Sequence, residues 1–224
     1  MNIEGKTIDL FPASEPGAPL VVLNADAGEG DAVLEALREY TEKPLSLAVI
    51  GGLKWEDDLT PWPNPPIFRG SEPCAGRADD YLELLTGRML PAIQAQLQGM
   101  PATIVLAGYS LAGLFALYAA YRTDAFQRIV CASGSLWYPG FADYAVAHAF
   151  VRRPDRLYLS LGDREHRTKN PIMRGIEDQT RRLADHYRAQ GMTSILEMNP
   201  GGHFNDPGRR LAKGIAWALE GELE

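Results

Sequence analysis

Pro101-Ala102-Thr103-Ile104-Val105-Leu106-Ala107-Gly108-Tyr109-Ser110-Leu111-Ala112-Gly113 passes from a β-branched apolar run, through a serine among small residues, into a second apolar run. The first part reads as a buried strand and the last as the start of a buried helix. Gly108 lets the strand bend, while Ala112 and Gly113 let the helix begin close to the sheet. A serine in that turn is pushed into the open at a helix N-terminus, where unpaired backbone N–H groups point outward. This is the arrangement of a nucleophile elbow. The same short pattern also occurs in loops where a serine only caps a helix. The strand before and the unbroken apolar helix after favour the elbow. One position departs from the usual pattern: the second glycine, two residues after the serine, is Ala112.

Outward from that turn, short β-rich runs alternate with longer helical ones. The alternation predicts an α/β fold with a mostly parallel central sheet covered by helices on both faces. Thr7–Phe11 reads as an edge strand ended by Pro12, and Leu20–Leu23 as a buried strand running into Asn24-Ala25-Asp26-Ala27-Gly28. Asp31 has the place of an N-cap for a helix over Ala32–Tyr40. Further strands are expected at Leu45–Ile50, Arg128–Ala132, Arg156–Leu161 and Thr193–Met198. Apolar residues at helical spacing predict helices over 78–97, 111–121, 176–190 and 209–219, the first kinked by Pro91. Residues 54–77 break the rhythm. They hold Trp55, Trp62 and five prolines (Pro61, Pro63, Pro65, Pro66 and Pro73), so no regular element fits there. The stretch reads as an irregular Trp/Pro-rich insertion in a single domain spanning 1–224, and loops of this length are usually functional.

Composition narrows the function. A formal net charge of −7 over 224 residues argues against nucleic acid or an anionic membrane surface as partner. Cys74 and Cys131 form neither a disulfide framework nor a metal pattern. The start, Met1-Asn2-Ile3-Glu4-Gly5-Lys6, lacks the basic and apolar regions of a signal peptide. No apolar run approaches the ~20 residues of a membrane-spanning helix. A cytoplasmic protein is therefore expected. There is no His-Glu-x-x-His, no phosphate loop with lysine, and Gly28-Glu29-Gly30 is too short for a dinucleotide fingerprint. Neither a metal nor another cofactor is expected. The expected partner is a small-molecule ester, and a homodimer is compatible with the sequence.

A serine hydroxyl needs a positioned base. Four histidines are available: His148, His166, His186 and His203. His186 lies in an amphipathic helix and His148 in an Ala-rich segment, while His166 follows a strand-end acid. His203 follows the last strand in Asn199-Pro200-Gly201-Gly202-His203-Phe204. In a parallel sheet that turn opens on the same side as Ser110. The partner acid that fixes the imidazole tautomer should fall between the two in sequence. The loop after Arg156–Leu161 offers both Asp163 and Glu165. For an oxyanion, one donor would be Leu111 N–H and the other would come from Asn24-Ala25-Asp26, with Asp26 first and Ala25 next. Trp55 and Trp62 from the insertion, with Trp137, are expected to wall the substrate pocket.

With these residues in hand, the chain resembles the esterase D-like branch of the α/β-hydrolases, and within it the esterases grouped with the enterobactin and salmochelin siderophore esterases. The resemblance rests on Gly108–Tyr118, Ser133-Gly134-Ser135-Leu136-Trp137, Leu161-Gly162-Asp163-Arg164-Glu165 and Gly201-Gly202-His203-Phe204. It implies the α/β-hydrolase fold and a triad of Ser110, His203 and an acid three residues after the strand-end glycine, which is Glu165. Asn24-Ala25 stands where relatives often have His-Gly. Arg69, Arg77 and Arg164 are the residues that could form a local cationic patch for an anionic substrate. The expectation is a carboxylic ester hydrolase working through an acyl-enzyme. An acyltransferase with the same triad, or a catalytically silent binding protein on the same fold, is the alternative.

Overall fold

The computed structural model describes residues 1–25, 29–67 and 70–221. In chain order its elements are β1 (Asn2–Ile3), β2 (Lys6–Phe11), β3 (Leu20–Asn24), α1 (Glu29–Leu37), β4 (Ser46–Gly51) and the short α2 (Trp55–Asp58). Then come α3 (Ala78–Leu84), α4 (Leu90–Gln94), β5 (Ile104–Tyr109), α5 (Leu111–Ala119) and β6 (Arg128–Ala132). The chain ends with α6 (Phe141–Ala147), β7 (Arg156–Gly162), α7 (Ile176–Ala189), β8 (Ser194–Asn199) and α8 (Pro207–Leu219).

One eight-stranded sheet runs in the order β1-β2-β4-β3-β5-β6-β7-β8. β1, β2 and β4 pair antiparallel, and every pair from β4 through β3 to β8 is parallel. Thr7–Phe11 is therefore not the edge, because the two-residue β1 pairs outside it. The mostly parallel α/β architecture agrees with the sequence reading.

The pleat sorts each strand between two cores. Val21, Leu23, Val105 and Ala107 face α1 and α8, while Leu20, Val22, Ile104 and Leu106 face α3, α5 and α7. Burial on both faces explains why β3 and β5 read as continuous apolar runs. All residues of α5 are buried. Each large apolar side chain there contributes about 1.5–3 kcal/mol relative to exposure. α8 is amphipathic instead, with Leu211, Ile215 and Leu219 inward.

Two local expectations change. α1 begins at Glu29, so Asp31 lies in its first turn and is not its cap; residues 26–28 lie outside the described residues. The kink expected at Pro91 is a wide turn over Leu85–Met89, in which Leu90 N–H reaches Leu85 O five residues back. Proline lacks an N–H and its ring crowds the carbonyl four residues earlier, and a widened turn relieves both. The sequence reading had no helix at α6, and none at α2, the single turn Trp55–Asp58 that lies in the 54–77 stretch ahead of its first proline. Among the described residues, no helix is long and apolar enough to cross a membrane.

Candidate active site

Because β5, β7 and β8 are parallel, their carboxyl ends open on one side, and the loops leaving them meet there. Ser110 stands between β5 and α5 with φ 56° and ψ −123°. A residue with a Cβ holds such a conformation at a cost of about 1–3 kcal/mol. Three hydrogen bonds fix it: Ser110 N–H donates to Ala132 O (3.2 Å), and Ser110 O accepts from Leu114 N–H (3.0 Å) and Ser135 N–H (2.9 Å). The turn closes only because Gly108 has no side chain, since a Cβ there would lie 2.3 Å from the carbonyl of Ala112. Ala112 is fully buried against it, so one glycine in the pair suffices. In the neighbouring turn, a Cβ on Gly134 would meet Cys131 Sγ at 2.2 Å.

His203 lies in the turn after β8, and its Nε2 is 3.0 Å from Ser110 Oγ. Its Nδ1 is 2.7 Å from Glu165 Oε2. An ionised carboxylate can only accept, so Nδ1 carries the hydrogen and Nε2 is left to accept from the serine. The other Glu165 oxygen accepts from Gly162 N–H (2.7 Å) and from Arg210 Nη1 (2.9 Å). Burial pushes the Glu165 carboxyl up, but the hydrogen bond and charge of His203 and the Gly162 N–H outweigh it, and the net shift is downward. Gly162 is obligatory for this packing. A Cβ there would sit 2.5 Å from Gly201 O and 2.9 Å from both Arg210 Nη1 and Glu165 Oε1.

Asp163, the other acid in the loop, turns away. Its Oδ1 accepts from Gly201 N–H at 2.8 Å and it makes no contact with His203. The remaining histidines are elsewhere: His148 bonds Tyr144 O, His186 faces Gln190, and His166 Nδ1 lies 2.9 Å from Glu177. Leu111 opens α5 and lines the cavity, and its N–H has no backbone acceptor among the described residues. Ala25 N–H is spent on Ile50 O at 3.1 Å, which removes Ala25 as an oxyanion donor. Asp26 lies outside the described residues.

The three side chains form the floor of a cavity of about 580 Å³. Trp55, Ile67, Trp137, Met173 and Phe204 supply apolar wall, and Phe204, beside the histidine, is 92% exposed. Arg164, Arg167, Lys169, Glu56 and Glu72 are the charged residues of the lining. Trp62 is a correction, because it is not among the lining residues. Its ring packs on Tyr138, Phe141 and Tyr144, and its Nε1 donates to Pro139 O at 2.9 Å. The cationic patch also differs from expectation. Arg77 pairs with Asp80 away from the cavity and Arg69 lies outside the described residues, whereas Arg167 and Lys169 join Arg164.

Sequence reasoning missed Ser135, whose Oγ is 3.3 Å from Ser110 Oγ. It also missed Tyr109, whose hydroxyl donates to His203 O at 2.6 Å. Burial raises the Tyr109 phenol and keeps it a donor. Arg210 was missed too, as a basic residue in a helix with a polar face.

The family described as "Putative esterase" matches residues 36–206, which include Ser110, Glu165 and His203. YbbA of Bacillus subtilis (strain 168), an uncharacterized protein, is 26% identical over 160 residues, 69% of this chain and 64% of that protein. The chain thus spans less than two thirds of that relative's length. Among solved structures, the siderophore hydrolase EstA from Aspergillus nidulans superposes with a TM-score of 0.71 at 24% identity, over 95% of this chain and 89% of that one. An IroE-like serine hydrolase from Shewanella oneidensis gives 0.78 at 18% identity, over 95% and 74%. These likenesses show the fold. With the family match across most of its length, the chain belongs to the "Putative esterase" family, on an α/β-hydrolase fold.

Proposed function

We propose that the protein is a serine esterase that cleaves a small-molecule ester through an acyl-enzyme, with Ser110 as nucleophile, His203 as base and Glu165 as its acid partner. One observation carries the reading: an unbroken hydrogen-bonded chain, 3.0 Å then 2.7 Å, from the Ser110 hydroxyl to Glu165 at the floor of the cavity. As Oγ attacks the ester carbonyl carbon, His203 Nε2 takes its proton and Glu165 offsets the imidazolium charge. The carbonyl electrons move to oxygen, and Leu111 N–H faces that developing charge. Collapse of the intermediate expels the alcohol, which receives the proton from Nε2. Water then attacks the acyl carbon with the same histidine as base, and Ser110 leaves with its proton restored. Asp26, expected to supply the second oxyanion donor, lies outside the described residues.

The neighbours are described as a siderophore hydrolase and an IroE-like serine hydrolase. For this chain, an apolar wall beside a charged rim fits an ester with a bulky apolar part and a polar end. Two free, buried cysteines, Cys74 and Cys131, fit the cytoplasm.

Labelling by a fluorophosphonate, together with turnover of a p-nitrophenyl ester, tests the assignment. Labelling should be lost in Ser110→Ala, and Ser110→Ala and His203→Ala should each lower kcat by about 10⁴-fold or more. Near-parental turnover in either variant would remove that residue from the mechanism.

A further inference from the structure

Arg210 is the only positively charged side chain among the described residues that touches the proposed triad. It lies on the first turns of α8 with its side chain 2% exposed, beside a Glu165 side chain 4% exposed. Both terminal nitrogens of its guanidinium are engaged. Nη1, with two N–H groups, is shared among Glu165 Oε1 (2.9 Å), Ser133 Oγ (3.0 Å) and Tyr109 Oη (3.1 Å). Nη2 donates to Pro200 O (3.1 Å) and Gly202 O (2.9 Å). One side chain therefore grips the acid, the residue before the nucleophile, the turn after β6 and the carbonyls on either side of Gly201 in the His203 turn.

We propose that Arg210 is a positioning residue for the ester-cleaving reaction, a charged pin that fixes Glu165 and the His203 turn in register with Ser110. This inference rests on the triad reading above. A buried carboxylate with both oxygens free to rotate would offer His203 a poorly directed acceptor. Here Oε1 is held by Arg210 and Gly162 N–H, and only Oε2 is left for Nδ1. The planar fork is what allows one residue to hold a carboxylate and two carbonyls at once, which a lysine ammonium cannot reproduce. The charge matters as well. The groups facing the His203 ring and turn are Glu165 from the loop after β7, Tyr109 from β5, Ser110 from the elbow and Arg210 from α8; Asp163 holds Gly201 N–H. Removing the guanidinium leaves Glu165 less neutralised, and an uncompensated carboxylate favours the protonated imidazole. The inactive, protonated form then persists to higher pH.

The test compares Arg210→Lys and Arg210→Met with the parent, scoring folded protein by circular dichroism and thermal unfolding before kinetics. Arg210→Met should lower kcat by about 10- to 100-fold, in line with misplacement by a fraction of an ångström to 1 Å. KM for a small p-nitrophenyl ester should stay within about threefold, because Arg210 does not line the cavity. The acid limb of its pH–kcat/KM profile should move to higher pH. Arg210→Lys should leave that limb near its parental place yet recover only part of kcat, separating charge from fork. A folded Arg210→Met with parental kcat and an unmoved limb overturns the proposal. If Arg210→Met does not fold, Arg210→Lys decides by the same kcat comparison. Failure of both to fold assigns Arg210 to stability alone and also overturns it. The triad reading fails separately, if Ser110→Ala keeps its label or its turnover.

Discussion

The turn that carries His203 and the stretch from 54 to 77 both border the cavity, and they are held by different means. In the turn, nearly every backbone group has a partner: Arg210 takes the carbonyls of Pro200 and Gly202, Tyr109 takes that of His203, and Arg164 N–H takes that of Gly201. Asp163 and Asn205 accept from Gly201 and Gly202 N–H. The other stretch is tied at scattered points, by Lys6 on Asp58, Arg77 N–H on Asp57 O, the Asn64–Cys74 bridge, Trp62 Nε1 on Pro139 O, Tyr138 Oη on Trp62 O and Asn170 Nδ2 on Ile67 O. Between those ties Pro65, Pro66 and Pro73 donate no N–H, and restricted φ adds the rest of the stiffness. The contrast separates two tasks. Proton transfer needs atoms placed to a fraction of an ångström, and hydrogen bonds supply that. A substrate wall needs only the right shape, so it can vary in sequence without disturbing the chemistry.

Four substitutions test that division, in falling order of effect. Glu165→Gln should be the most damaging of them, with kcat lower by about 10³- to 10⁴-fold, because the amide NH₂ faces Nδ1 and forces the wrong tautomer. It should also change stability with pH. A carboxyl held below its ordinary value in the fold stabilises the folded state above that value, 4.5, and loses this as pH falls through the lowered folded value. The parent-minus-variant difference in unfolding free energy should therefore be level at neutral pH and shrink below about pH 4.5. A flat difference would mean the carboxyl is not held in the fold as described.

Gly162→Ala comes next. Its methyl group would crowd Gly201 O, Arg210 and Glu165 together, and a kcat loss of about 10²-fold is expected with unchanged KM. Parental kcat would show that the rigid turn has slack. The smallest effects should fall on the tryptophans, and they should differ in kind. Trp62→Ala should cost roughly 2–3 kcal/mol of stability through its lost packing on Tyr138, Phe141 and Tyr144, and leave the relative rates across acyl lengths alone. Trp55→Ala should change those relative rates by a few-fold. If the two behave alike, the insertion is one structural unit and not a wall with separate supports.

Much of this was legible in the chain because the relevant signals are local. The elbow needs small residues at fixed offsets from Ser110, and the parallel strands need continuous apolar runs, so both leave marks in sequence. His203 was legible through chain order and a glycine-rich turn. The choice between Asp163 and Glu165 was not set by spacing, since both leave the same strand end; which one reaches the imidazole depends on how the loop turns over Gly162. Arg210 left no mark, because a buried arginine on an amphipathic helix looks like any solvated one. Trp62 misled for the converse reason: tryptophan in a proline-rich loop suggests a pocket, and only the aromatic cluster around α6, a helix the sequence reading did not find, shows where the ring goes.

The close approach of Gly134 to Cys131 ties the histories of two positions together. Burial pushes the Cys131 thiol up to about 12, so the side chain is an uncharged spacer whose size is what counts. Any lineage that replaced Gly134 first would drive a methyl group into that sulfur and displace the turn whose Ser135 N–H holds the elbow. The reverse order is open, with a smaller residue at 131 first and a larger one at 134 afterwards. The two sites should behave as an epistatic pair with a one-way path between them, and a deep mutational scan would find Gly134→Ala tolerated chiefly on a background already changed at Cys131.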